Sequence, residues 1–188
     1  LKSRMKDFID ATVIPAEPAL LNEDASALME DLKAQAKALG LWALGHPAEL
    51  GGGGLPFLDF AQLNEIIRRS YFGQMAVGSI SMQDSIMLHQ FGSEGQREAW
   101  LEPLVAGDIY PSVGLTEPDV AGSDPTLMQS RGELDGNEWL INGRKWFTSG
   151  ANVAAFTTVF CETEPEQQRH DKFSAIIVPT NTPGYRIK

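Results

Sequence analysis

The sequence predicts an α+β multidomain chain: an N-terminal all-α helical bundle followed by an antiparallel β-barrel or sandwich. Three observations carry this. Apolar residues recur at helical spacing through residues 1–107. After Asp108 the period shortens and β-branched and aromatic residues cluster in short runs. The turn signals Asp135-Gly136-Asn137 and Asn142-Gly143 then punctuate those runs as hairpins do. The boundary is placed at Gly107, giving domains 1–107 and 108–188.

In the helical part, Met5, Phe8, Ile9 and Val13 define a first helix that Pro15 is expected to close. A second helix starts after Asn22 or Asp24, turns Leu28, Leu32, Ala36 and Leu39 to one side, and ends at Gly40. Residues 41–56 form a glycine-bearing loop. It lacks both G-x-G-x-x-G and a Gly-Lys-Ser/Thr sequel, so it reads as a flexible surface turn and not as a phosphate loop. Phe60, Leu63, Ile66 and Ile67 mark the next helix. Residues 75–91 read as one long, mostly buried helix ended by Gly92. Ser93-Glu94-Gly95-Gln96 matches a capping box, opening a helix that carries Trp100, Leu101 and Leu104 and stops at Gly107.

In the β part, the expected strands are 109–115, 129–134, 138–141, 144–148, 156–162 and 173–178. The polar run 163–172 is a solvated loop with no binding role assigned.

Composition narrows the function. A net charge of −10 argues against nucleic acid and against a polybasic membrane anchor. No run of about 18 apolar residues is present to span a membrane, and Leu1–Asp10 lacks the apolar core of a signal peptide. Cys161 is the single cysteine, which excludes an intrachain disulfide and fits a reducing compartment. His46, His89 and His170 are scattered without metal-ligand spacing, and no G-x-S-x-G elbow appears. Leu1 and the strand-like last residues read as cut ends.

Two segments concentrate the chemistry: Val113–Asp124, V-G-L-T-E-P-D-V-A-G-S-D, and Asn142–Gly150, N-G-R-K-W-F-T-S-G. Thr116, Ser123, Thr148 and Ser149 supply hydroxyls, and glycines allow a close backbone approach. Such donors suit the polar edge of a planar heterocycle, or a phosphate. Trp146 and Phe147 add a flat apolar wall. The same residues also occur in ordinary structural loops.

These segments resemble the signature of acyl-CoA dehydrogenases. The resemblance extends to Gly40–Gly54 (G-L-W-x-L-x-x-P-A-E-x-G-G-x-G), Phe91–Arg97 (F-G-S-E-x-Q-R), Trp100–Gly107 (W-L-E-P-L-x-x-G) and Val178–Gly184 (V-P-T-N-T-P-G), and so covers nearly the whole chain. Thr116–Ser123 is one residue longer than the common T-E-P-x-A-G-S form. With Arg169-His170 it is similar to the subgroup of long-chain and kinase-fused members.

The resemblance implies FAD held between the domains. Val113, Leu115 and Thr116 would lie along the isoalloxazine, with Thr116 on its pyrimidine edge. Trp146, with Phe147 beside it, would pack on the ring, and Thr148 would donate near N5. Gly122 and Ser123 would approach the cofactor phosphates, and Ser123 also the acyl-CoA tail. The implied reaction is α,β-dehydrogenation of an acyl-CoA, a base taking the α-proton and the β-hydrogen leaving as hydride. Electrons then pass to an electron-transfer flavoprotein. The base is a glutamate of a C-terminal four-helix domain absent from this chain, so no catalytic residue is assigned here; Glu117 is expected to shape its loop. A homo-dimer or homo-tetramer is implied, in bacterial cytoplasm or a mitochondrial matrix. The alternatives are an acyl-CoA oxidase or flavin monooxygenase on the same scaffold, or a non-catalytic binding module.

Overall fold

The computed structural model describes residues 1–188 except Glu23, Asp24 and Ser81. The chain divides into two compact units, Leu1–Asp108 and Ile109–Lys188.

The first unit is helical. α1 (Lys2–Phe8) and α2 (Ile14–Leu20) are joined without a break by a π turn, Ile9–Val13, so helix continues past Pro15 instead of ending there. The π turn explains the difference. The Ile14 amide reaches back to the Ile9 carbonyl, which resets the hydrogen-bond ladder and places Pro15 in the first turn of α2, where its missing N–H is tolerated. The same device recurs at Arg97–Leu101, before Pro103 in α8 (Glu102–Ala106).

α3 (Ser26–Ala38) buries Met29, Leu32 and Ala36, while Leu39, expected on that face, is exposed. The expected start at Asp24 lies outside the described residues. Gly40 closes α3 as a Schellman turn: its amide bonds the Lys37 carbonyl and the Leu41 amide bonds that of Ala36. α4 (Phe57–Ile67) packs Phe60, Leu63 and Ile67 into the core with Met5, Ile9 and Leu32.

Two expectations about this unit are corrected. Residues 41–56 are not a flexible turn. Leu41 and His46 are fully buried, and the amides of Gly53, Gly54 and Leu55 bond the carbonyls of Ala43, His46 and Leu44. The His46 Nδ1 lies 2.7 Å from Ser85 Oγ, and burial pulls the imidazole pKa down. Residues 75–91 are also not one helix. They divide into α5 (Gly73–Ala76) and α6 (Met82–Phe91), with Gly78 in the left-handed region between them.

α7 (Glu94–Gln96) opens with the capping box read from the sequence. The Ser93 hydroxyl accepts from the Gln96 amide, and the Gln96 side chain accepts from the Ser93 amide. Ser93→Ala is expected to lower the stability of this unit by about 1 kcal/mol, measured by chemical denaturation.

The second unit is a mixed sheet. β4 (Phe156–Glu162) is its buried centre, and β5 (Phe173–Pro179) runs antiparallel along one edge of it. On the other edge β1 (Pro111–Gly114) runs parallel to the first half of β4, while β2 (Arg131–Asp135) meets its end at Arg131–Glu162, also parallel. β3 (Glu138–Asn142) forms a hairpin with β2 across Gly136-Asn137. The sheet expected to be antiparallel is therefore mixed, and the described strands do not close into a barrel. Turn signals report only local pairing; the connection from β1 to β4 is long enough for a parallel crossover. Residues 144–148, read as a strand, lie outside the sheet.

Candidate functional site

The chain leaves the edge of β4 after Gly114 and rejoins it at Ser130, whose carbonyl accepts from the Glu162 amide at 2.9 Å. Residues 115–130 thus form a loop beyond the sheet edge, and they contain the first signature segment from Leu115 onward, its first two residues lying in β1.

Glu117 organises that loop. Its carboxylate accepts from the amides of Gln129 (2.6 Å) and Ser130 (2.9 Å) and from Lys145 Nζ (2.8 Å), with only 7% of the residue exposed. Burial pushes its pKa up, but the Lys145 ammonium and the two amides prevail and hold it at about 2. A carboxylate so saturated with donors is a clamp and a poor proton acceptor.

Lys145 belongs to the second segment, which therefore lies against the first. Its Nζ also donates to the Leu115 carbonyl at 3.2 Å, and the next amide, of Trp146, donates to the Thr116 carbonyl at 2.8 Å. Close packing demands glycine at 143 and leaves little room beyond a hydrogen at 114. A Cβ on Gly114 would lie 3.2 Å from Lys145 Cγ, and one on Gly143 would lie 2.0 Å from Ser130 Oγ.

The structure brings together Leu115, Thr116, Gly122, Trp146 and Phe147. Gly122 folds back over Thr116, 3.2 Å separating its Cβ position from Thr116 Cγ2. Leu115, Trp146 and Phe147 are exposed; the two rings meet edge to face at 5.1 Å. Phe147 takes φ of 54°, a left-handed conformation costing on the order of 1–3 kcal/mol for a bulky residue, of the kind that clusters at ligand sites. Val113 sits half-buried on β1, paired with Thr158. Ser123 is exposed and Thr148 half-buried, each next in the chain to this cluster with no bond between them.

The donor set is free. Among the described residues, the hydroxyls of Thr116, Ser123 and Thr148 and the amides of residues 147–150 make no hydrogen bond within the chain. Unpaired donors beside exposed aromatic surface fit a flat, apolar ligand with acceptor atoms on its edge, as the isoalloxazine of FAD is. Inside the loop itself, between Leu115 and Met128, the space is about 10 Å³, room for one water and no ligand.

Among the residues that hold this site, Lys145 is not singled out by the sequence, and Asp124 and Arg169 enter it only as motif members without a role. Lys145 lies between Arg144 and Trp146 with no local signal of its role. Asp124 and Arg169 are joined by a contact across 45 residues: Arg169 donates to the Asp124 carboxylate and, through Nε, to Thr126 Oγ1 at 2.7 Å. The run 163–172, expected to be solvated and idle, therefore holds the end of the signature loop.

Comparison with known proteins identifies the family. The acyl-CoA dehydrogenase N-terminal domain family matches residues 1–108, and the acyl-CoA dehydrogenase middle domain family matches residues 112–188. Acyl-CoA dehydrogenase family member 11 of Gallus gallus is 36% identical across 98% of this chain and 25% of its own length. A Mycobacterium tuberculosis protein named as a probable acyl-CoA dehydrogenase, FadE2, is 36% identical across 99% of this chain and 48% of its own. The chain thus spans half or less of the length of these relatives. A solved Mycobacterium abscessus structure with an acyl-CoA dehydrogenase assignment superposes with a TM-score of 0.90 at 36% identity, covering 97% of this chain and 50% of that one. A glutaryl-CoA dehydrogenase from Mycobacterium smegmatis, solved with FADH2, gives a TM-score of 0.70 at 25% identity, covering 97% of this chain and 45% of its own. With both domain families matched in order along its length, this chain belongs to the acyl-CoA dehydrogenase family.

Proposed function

We propose that this chain forms the first two domains of an FAD-dependent dehydrogenase that introduces an α,β double bond into an acyl-CoA thioester and hands the electrons to an electron-transfer flavoprotein. The observation that carries the reading is the Trp146–Thr116 backbone bond, which sets the two signature segments edge to edge with unpaired donors beside exposed rings. FAD, when bound, supplies the two-electron acceptor for this reaction.

The roles left to the chain are positional. Trp146, Phe147 and Leu115 offer the apolar surface for the ring system, and Val113, half-buried on β1, is assigned to the same ring. The Thr116 and Thr148 hydroxyls and the amides beside Thr148 offer donors to its polar edge. The amides of Gly122 and Ser123 donate to no other backbone group, which supports assigning both residues to the cofactor phosphates and Ser123 also to substrate. Glu117 is committed to Lys145 and two amides, so the base that removes the α-proton comes from outside these residues. On this reading residues 1–188 alone bind FAD weakly and give no turnover, and the intact protein is a homo-oligomer. Among the described residues no helix is long and apolar enough to cross a membrane.

The test uses the intact flavoprotein. Trp146→Ala and Thr148→Ala are each expected to weaken FAD binding about tenfold or more and to shift the flavin absorption band. Unchanged spectra and affinity in both variants would count against the site. An intact protein that is colourless as isolated and takes up no flavin would favour a non-catalytic module instead.

A further inference from the structure

The signature loop is fixed at two points. At its base the Glu117 carboxylate ties residue 117 to residues 129, 130 and 145. At its far end the Asp124 carboxylate caps the short 3-10 turn Pro125–Leu127 by accepting from the Thr126 amide (3.1 Å) and hydroxyl (2.6 Å). Arg169, from the loop between β4 and β5, then grips both Asp124 and Thr126. Between these points no amide of residues 118–123 donates to another backbone group. The placement of Gly122 and Ser123 therefore depends on the two clamps, on the turn that the Asp124 amide closes onto the Ala121 carbonyl at 3.1 Å, and on the packing of Gly122 over Thr116.

The clamps differ in kind. The Glu117–Lys145 pair is buried, whereas the Arg169 and Asp124 side chains are 62% and 37% exposed. An exposed ion pair contributes little to global stability and is screened by salt. What it does is local: it removes conformational freedom from a segment that has no ladder of its own. Two groups of the guanidinium fork are used at once, Nε on Thr126 and a terminal nitrogen on Asp124, which the single ammonium of a lysine cannot reproduce.

We infer that Arg169 is a positioning residue: it latches the lengthened signature loop so that Ser123 is presented to the acyl-CoA substrate. The inference rests on the proposed function for its substrate clause and on the hydrogen bonds alone for the latch.

The experiment compares the intact flavoprotein with its Arg169→Ala and Arg169→Lys variants. Exchange of the bonded amides of Asp124, Thr126 and Leu127 is expected to quicken about tenfold in both variants, because opening that stretch no longer breaks the Arg169 bonds. In the unsubstituted protein that exchange should quicken between about 20 mM and 500 mM salt as the ion pair is screened, and in Arg169→Ala it should be insensitive to salt. KM for an acyl-CoA thioester is expected to rise about tenfold with kcat held within about twofold, since ordering of the binding loop is lost and the reacting groups are untouched. The melting temperature should stay within about 2 °C.

Unaltered exchange in Arg169→Ala would overturn the latch. Altered exchange with unaltered KM would overturn the substrate role, and so would a variant that melts many degrees lower and loses kcat. If the intact protein neither holds flavin nor oxidises any acyl-CoA, the proposed function fails with the substrate clause, while the exchange and salt data still decide the latch.

Discussion

Glu117→Ala is expected to destabilise the β unit by about 3–5 kcal/mol, the range for breaking a buried ion pair from one side. The pair itself is not strongly stabilising. Burial pulls the pKa of Lys145 down, and Glu117 only partly restores it, so the ammonium carries a standing desolvation cost. The large effect comes from what remains after truncation: a buried ammonium without its counter-charge, and the buried Ser130 amide and part-buried Gln129 amide without an acceptor. Urea denaturation of Glu117→Ala measures the sum. Adding Lys145→Met should recover a substantial part, because the charge left behind is removed with it. No recovery in the double variant would mean that the amides, and not the ammonium, set the cost. A loss below about 1 kcal/mol in the single variant would show the clamp to be dispensable.

The same carboxylate fixes the acid response. Its folded pKa of about 2 lies below its ordinary 4.5, so folding favours the deprotonated form. Its stabilisation is therefore complete above about pH 4.5 and is lost as pH falls from there towards 2, when the folded state too must take up a proton. In Glu117→Gln that part of the acid sensitivity should vanish.

What could be read along the chain follows the range of the interactions. The hairpin at Gly136-Asn137, the capping box at Ser93 and Gln96, and the bounds of β4 are local matters of propensity and turn chemistry, and the structure agrees with them. Expectations failed where the helical ladder is reset or a distant residue decides. Pro15 ended no helix because a π turn precedes it. The glycine-bearing loop is packed, not loose, because Leu41, Leu44 and His46 anchor it in the core. Residues 144–148 are kept out of the sheet by the fold of Gly143 onto Ser130 and the left-handed turn at Phe147. The parallel pairing of β1 with β4 joins residues more than forty positions apart, beyond any turn signal. At the candidate site, the hydroxyls and aromatic residues could be named from their types, but their adjacency was supplied by the family resemblance. The clamping roles of Lys145 and Arg169 escaped notice because nothing local distinguishes a clamping cation from a solvated one.

Trp42 offers the second large effect, in the helical unit. Its indole Nε1 donates to the Val105 carbonyl at 3.0 Å, and Lys37 Nζ lies 4.5 Å from the ring centroid. The ring edge occupies the space that a side chain would need at two distant glycines. A Cβ on Gly107 would lie 2.5 Å from Trp42 Cζ2, and one on Gly78 would lie 2.6 Å from both Cε2 and Cζ2. Both glycines hold positive φ, 85° and 66°. Gly107→Ala therefore combines a backbone strain of about 1–2 kcal/mol with an overpacking cost of about 1–3 kcal/mol, and should destabilise this unit by about 2–5 kcal/mol. Gly95→Ala is the control: Gly95 lies in α7 with open space around its Cβ position and should be neutral or stabilising by up to about 1 kcal/mol. A double-mutant cycle separates the two terms. In a Trp42→Ala background the ring is gone, so Gly107→Ala should cost only the backbone part, about 1–2 kcal/mol. If it costs as much there as beside the intact indole, the conformation of residue 107 alone accounts for the glycine and the packing of Trp42 against it contributes nothing.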